Sequence, residues 1–314
     1  MNTLIPGAEP MNTRRRFLMI AAAALASPAT GRADTAPFVW QGAALGARAT
    51  IRLTHPDAAV ITARAAAEID RLENIFSLYR SGSALTQLNA TGRLADPPFE
   101  LLECLGLCDS VHAATLGRFD PTVQRLWQAH AEAAARNRPL SASERRAALG
   151  LTGWQGVTLS ESAITLRPGM ALTLNGIAQG YIADRIAALL RAEGLADILI
   201  DTGEIRALGQ QPDGTDWPVT LSPGGRRLEL ANRSLATSSP LGTVLDAAGK
   251  VGHIIDPATG LTAPGRWQAI SVSAPSAALA DALSTAACLM PSRTAITAAL
   301  NAFPETRLEA ALSA

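Results

Sequence analysis

Four short stretches set polar or glycine residues into apolar surroundings, at spacings that could do chemistry. "ADALSTA" carries Asp281 and Thr285 four residues apart, which puts a carboxylate and a hydroxyl on one helix face. An oxygen pair of this kind suits a hard cation such as Mg²⁺, which shares its coordination with substrate phosphates. It equally suits a polar face near a helix start, where Asp is favourable. "TLNGIAQGYIAD" sets Gly176 and Gly180 four apart at the head of a helical pattern, where each helical Gly costs about 1 kcal/mol relative to Ala. Close backbone approach to a phosphate at a helix N-terminus would offset that cost; so would tight packing of the helix on a neighbour. "HIIDPATG" brings His253, one of four histidines, up to the turn signal Asp256-Pro257. It is a candidate proton carrier or a structural histidine. "RFDPTV" puts Asp120 before Pro121 at a helix entry, where capping competes with function.

The elements that must hold these residues can be read coarsely. The 314 residues are 48% hydrophobic, enough for a sizeable core. Net charge is zero and only 4% of residues are aromatic, so nothing favours nucleic acid as a partner. Lys250 is the only lysine, which excludes a P-loop and argues against amine chemistry. "TRRRFLMIAAAALASPATGRADTA" orders a basic cluster, a short apolar run and small residues. That is a secretory signal of the twin-arginine type rather than a membrane span. It is expected over residues 1–33, with cleavage after Ala33 and Met1 or Met11 as the start. The remaining domain, 34–314, is expected to be periplasmic and not transmembrane. Cys104 and Cys108 share a helical face; with Cys288 they make an odd count that suggests no disulfide framework.

Along the chain, "FVWQGAALGARATIRLT" predicts two strands around a Gly turn. Ile61, Ile69, Leu72 and Phe76 predict one buried helix face, and "LYRSGSALTQLNATG" a loop. Helices follow over about 99–116, in "TVQRLWQAHAEAAARN", and in "SASERRAAL", where Ser141 and Glu144 have capping-box spacing. "GVTLSESAITLRP" predicts a hairpin and 177–193 a helix stopped by Gly194. Strands are expected in "ADILIDTG", "WPVTLS", "RRLELA", "RSLATSS" and "WQAISVSAP". Helices are expected in "SAALADALSTAACLM" and "SRTAITAALNAF", the last ended by Pro304. Strands and helices mix without regular alternation, so an α+β fold in one compact domain is expected.

Taken in order, "SLYRSGSALTQLN", "RFDPTVQRLW", "TLNGIAQGYIADR", "ILIDTGEIRALG", "LATSS", "HIIDPATG" and "ADALSTAACLM" resemble the ApbE flavin transferases over about residues 42–290. The resemblance implies an ApbE-like fold with a T-fold-like core and a Mg²⁺-dependent FAD:protein FMN transferase. Such an enzyme splits FAD, releases AMP, and joins FMN through a phosphoester to a Thr or Ser of a partner flavoprotein. It implies FAD contacts at Leu45, Tyr79, Arg118, Phe119, Asp120, Thr173, Gln179 and Ile255. It implies metal contacts at Asp281, Thr285 and the Gly176 backbone oxygen, and places His253 near the reacting phosphates. This sequence departs from the family at Leu45 and Ala47, where Met and Thr are usual. It departs also at Thr173 (commonly Asp), at Gln179 (commonly Lys or Glu) and in "DTGEIRA", which has one Gly where two are usual. "LNGIAQGYIAD" and "FDPTVQRLW", with the export signal, resemble the subset associated with nitrous oxide reduction. That subset's acceptor would be the membrane-bound regulator of the nitrous oxide reductase system. An FAD pyrophosphatase, or a non-enzymatic FAD-binding carrier or maturation factor, is the alternative.

Overall fold

The computed structural model describes residues 37–314; the expected twin-arginine segment and its cleavage position lie outside them. The chain opens with a hairpin, β1 (Phe38–Ala44) and β2 (Ala47–Leu53). Its two-residue turn, Leu45-Gly46, has positive φ at both positions, matching the twist of the strands. In α1 (Ala58–Phe76), Ile61, Ala65, Ile69, Leu72 and Phe76 are buried at helical spacing. The segment expected to be a loop instead contains α2 (Ala84–Thr91): Ser83 caps it by accepting from the Thr86 N–H, and Leu85 and Leu88 are buried. Cap and apolar spacing outweigh the turn-forming residues there. After β3 (Arg93–Ala95) and α3 (Phe99–Ala114), α4 (Gln124–Ala135) and α5 (Ala142–Leu149) follow. The expected capping box of Ser141 and Glu144 is present on α5. β4 (Val157–Leu159) and β5 (Ala163–Leu166) form the expected hairpin, and β3 extends it to three strands.

The second half supplies most of the main sheet. Its elements are α6 (Ala178–Ala192), β6 (Ile198–Asp201), β7 (Ile205–Leu208), β8 (Trp217–Thr220), β9 (Arg227–Leu230) and β10 (Ser234–Ser238). β11 (Trp267–Ala274), α7 (Ala277–Ala287), α8 (Arg293–Leu300) and β12 (Arg307–Ser313) complete the chain. Seven strands pair in the order β1-β2-β6-β7-β10-β11-β12, every pair antiparallel. β7 and β12 were not expected from the sequence. The fold is α+β, as the irregular mixture of elements predicts.

α6 and α7 pack against each other and on the sheet, with α1 beside α6 and α3 against α7. Elsewhere on the sheet, Trp217, Val219 and Leu230 of the β8–β9 hairpin pack with Leu199, Ala207 and Leu235. β11 is buried along almost its whole length. The three cysteines are buried and free; burial pushes the Cys288 thiol up to about 12. Among the described residues, no helix is long and apolar enough to cross a membrane.

Candidate active site

The site grows from the crossing of α6 and α7. Two helix N-termini meet there, each with backbone N–H groups lacking intrahelical partners. Asp184 of α6 accepts from the Ala277 and Ala278 N–H groups at 2.9 and 3.0 Å and from the Ser276 hydroxyl at 2.7 Å. In return, Asp281 of α7 faces the Gly180 N–H in the first turn of α6, which favours its charged form. The two carboxylates thus serve each other's helix. Gly180 permits the approach: a Cβ there would overlap the Ala277 carbonyl and come within 2.6 Å of the Ala278 nitrogen. One of the two glycines is therefore a packing residue. The other, Gly176, lies against the chemistry, since a Cβ on it would sit 3.1 Å from Thr285 Oγ1.

A cavity of about 230 Å³ opens at this crossing. It brings together Arg118, Phe119, Asp120, Thr173, Gly176, Gln179, His253, Ile255, Asp281 and Thr285, ten of the twelve residues named from the sequence. Tyr79 lines a neighbouring cavity that shares Trp127 and Asn175 as walls. Leu45 lines neither; it sits at the β1–β2 turn, where its N–H donates to Glu73 Oε1 at 2.5 Å.

Backbone contacts hold the walls in place. The Thr173 N–H donates to the Pro121 carbonyl at 2.8 Å, tying the segment before α6 to the segment before α4. Asp120 Oδ1 accepts from the Thr122 N–H and hydroxyl at 2.8 and 2.6 Å. It therefore caps the helical turn at Pro121–Val123 while facing the cavity. Arg118 bridges to Asp256 Oδ2 at 2.9 Å, joining that loop to the one bearing His253. The His253 Nδ1 lies 3.0 Å from the Thr243 carbonyl, so Nδ1 carries the proton and Nε2 is the basic nitrogen. Burial pushes its pKa below the usual 6.5, against the carbonyls of Thr243 and Pro240.

Among the cavity residues not named from the sequence, two bear on the chemistry. Glu204 follows Gly203 in the β6–β7 turn. The backbone of Gly203 has φ +100° and lies against Gln179; the Thr202 hydroxyl donates to the Gln179 carbonyl at 3.0 Å. The signal available was an acid directly after a Gly turn between two apolar runs in "ILIDTGEIRALG". Ser238, at the end of β10, lies 3.2 Å from Thr285 Oγ1 and 2.7 Å from Ser284 Oγ.

The electrostatics are those of an acidic pocket. Asp281 and Glu204 are both buried, and one oxygen of each, Oδ2 and Oε2, has no hydrogen-bond partner. Burial pushes Asp281 up to about 8, against its bond to Gly180. Burial and then the charges of Asp281 and Asp201 push Glu204 well above its usual range. Buried carboxylates without partners are costly. Asp281 and Thr285, with the Gly176 backbone beside them, offer oxygen donors of the kind that would suit a hard divalent cation.

A model of the ApbE family matches residues 45–310. The FAD:protein FMN transferase of Chlamydia pneumoniae is 29% identical over 234 residues, covering 69% of this chain and 74% of its own. The FAD:protein FMN transferase of Klebsiella pneumoniae (strain 342) is 27% identical over 252 residues, 76% of this chain and 78% of its own. The crystal structure of the apo flavinyl transferase ApbE of Pseudomonas stutzeri superimposes with a TM-score of 0.75 at 25% identity, over 84% of this chain and 88% of the other. With the family model matching most of the described residues and the fold in agreement, the chain belongs to the ApbE family.

Proposed function

We propose that this protein is an FAD:protein FMN transferase. The observation that carries the proposal is the convergence of Asp281, Thr285, Gly176 and His253 on one cavity in a member of this family. The acceptor's Thr or Ser oxygen bonds to the FMN-side phosphorus of FAD as the P–O bond to AMP breaks. AMP leaves with the bonding electron pair. The acceptor proton passes to His253 Nε2, which burial keeps unprotonated at neutral pH. A Mg²⁺ held by Asp281, Thr285 and the Gly176 carbonyl would offset the pyrophosphate charge, since the cavity's Arg118 is already paired with Asp256. Arg118, Phe119, Asp120, Thr173, Gln179 and Ile255 line the cavity and would bind FAD, with Tyr79 at the adjoining cavity.

The order of basic, apolar and small residues over 13–33 supports export to the periplasm by the twin-arginine route. "LNGIAQGYIAD" and "FDPTVQRLW" support the membrane-bound regulator of the nitrous oxide reductase system as acceptor. The test incubates the protein with FAD, Mg²⁺ and an acceptor domain bearing a Thr site, and follows intact mass. FMN should appear on the acceptor and be absent when that Thr is changed to Ala. AMP without an adduct would identify a pyrophosphatase, and tight FAD binding without turnover a carrier.

A further inference from the structure

Glu204 and Asp281 reach the same cavity from different layers of the fold, one from the sheet and one from a helix. Glu204 is 8% exposed and Asp281 4%. Each faces a backbone N–H that favours its charged form, Glu204 at Thr237 and Asp281 at Gly180. Each keeps one oxygen without a partner. The nearby cations are engaged elsewhere: Arg206 contacts Asp184 and the Pro275 carbonyl, and Arg118 contacts Asp256. Among the described residues, no ion pair involves Glu204 or Asp281. The Thr285 and Ser238 hydroxyls line the same space.

Two buried carboxylates with no counter-ion are unstable together, and a divalent cation matches their combined charge. A hard cation takes six or more oxygen ligands, whereas Asp281, Thr285 and the Gly176 carbonyl leave several positions open. We infer that Glu204 supplies a second carboxylate to the cation held by Asp281, so that the site is built before any nucleotide arrives. This rests on the reading of Asp281, Thr285 and Gly176 as the cation site. Glu204 comes from the β6–β7 turn, so the cation would tie the sheet to α7 as well as serve the phosphates.

The test uses Mn²⁺ as probe and direct binding as readout. Mn²⁺ is titrated into the nucleotide-free protein and the free ion is followed by electron paramagnetic resonance. Wild type should bind one Mn²⁺, and Glu204→Gln should weaken binding at least about tenfold. Glu204→Asp keeps the charge but withdraws it by one methylene. It should also weaken binding, and it stands in should the Gln variant not fold. Unchanged affinity in the Glu204 variants, with loss in Asp281→Asn, would overturn the inference and leave the Asp281 site standing. Unchanged affinity in Asp281→Asn as well would overturn both. Binding by wild type only when FAD is present would overturn the preformed site alone.

Discussion

At the scale of single residues, the site depends on two opposite effects of burial. Burial favours the neutral form of any titrating group, so it lowers the pKa of His253 and raises those of Asp281 and Glu204. For a proton acceptor the lowered value is useful, because the neutral imidazole persists to more acid pH. At saturating Mg²⁺, FMN transfer should therefore hold through pH 6.5, the ordinary histidine value, and decline only below it. His253→Ala should slow transfer by about 10²–10⁴-fold and remove that acid limb, while FAD affinity changes little. Rate profiles of both proteins from pH 5 to 8 check this; a limb above pH 6.5 would show that another group carries the proton. Asp120 follows the same rule: burial raises its pKa, against the bonds from Thr122 through which it caps the turn at Pro121.

At the scale of elements, α6 and α7 act as one unit because each shields the other's N-terminus. Gly180 shows which of two effects wins there. Ala in place of a helical Gly ordinarily gains about 1 kcal/mol. At Gly180 the new methyl would meet the backbone of Ala277 and Ala278, which yields only if the helices part. Gly180→Ala should therefore destabilise the protein by roughly 1–3 kcal/mol and weaken cation binding, since it displaces the N–H that holds Asp281. Gly106, exposed in α3 with nothing near its added Cβ, is the control: Gly106→Ala should be neutral or stabilising by up to about 1 kcal/mol. Urea unfolding of both variants measures the contrast, and a stabilised Gly180→Ala would contradict the close crossing. Elements with strong local signals were legible in the sequence: the α1 stripe, the α5 capping box and the β1–β2 turn. β7 is a four-residue strand whose second partner, β10, comes only after another hairpin, and β12 is a terminal strand whose partner β11 lies two helices earlier, so local pattern does not reveal them. Gly180 was legible as an anomaly, but its neighbour lies almost a hundred residues away.

At the scale of the molecule, the cavity lies where loops, sheet and two helices converge; residue types brought Asp120, Gly176, His253, Asp281 and Thr285 of its lining into view, and the family resemblance added Arg118, Phe119, Thr173, Gln179 and Ile255. Glu204 escaped because a buried acid beside a strand looks like any other acid until Asp281 is seen to share its space. The same pair couples the stability of the whole fold to pH and metal. In the metal-free protein, burial raises the pKa of Asp281 from 3.8 to about 8. The folded state then retains a proton that the unfolded chain has lost. Stability from this group is full below about pH 4 and falls as pH rises towards 8, opposite in sign to a salt-bridged carboxylate. A cation that binds only the folded state stabilises it in proportion to the logarithm of its concentration over Kd. Because it must displace the proton, its effect should grow with pH. Melting curves of wild type without metal should therefore show the melting temperature falling between pH 5 and 8, and added Mg²⁺ should recover most of the loss at the upper end. Asp281→Asn has no such proton to lose, so its profile should be flatter and insensitive to Mg²⁺. Parallel profiles for the two proteins would mean that Asp281 stays ionised in the fold, and that the orphaned Oδ2 is stabilised by something other than a proton or a cation.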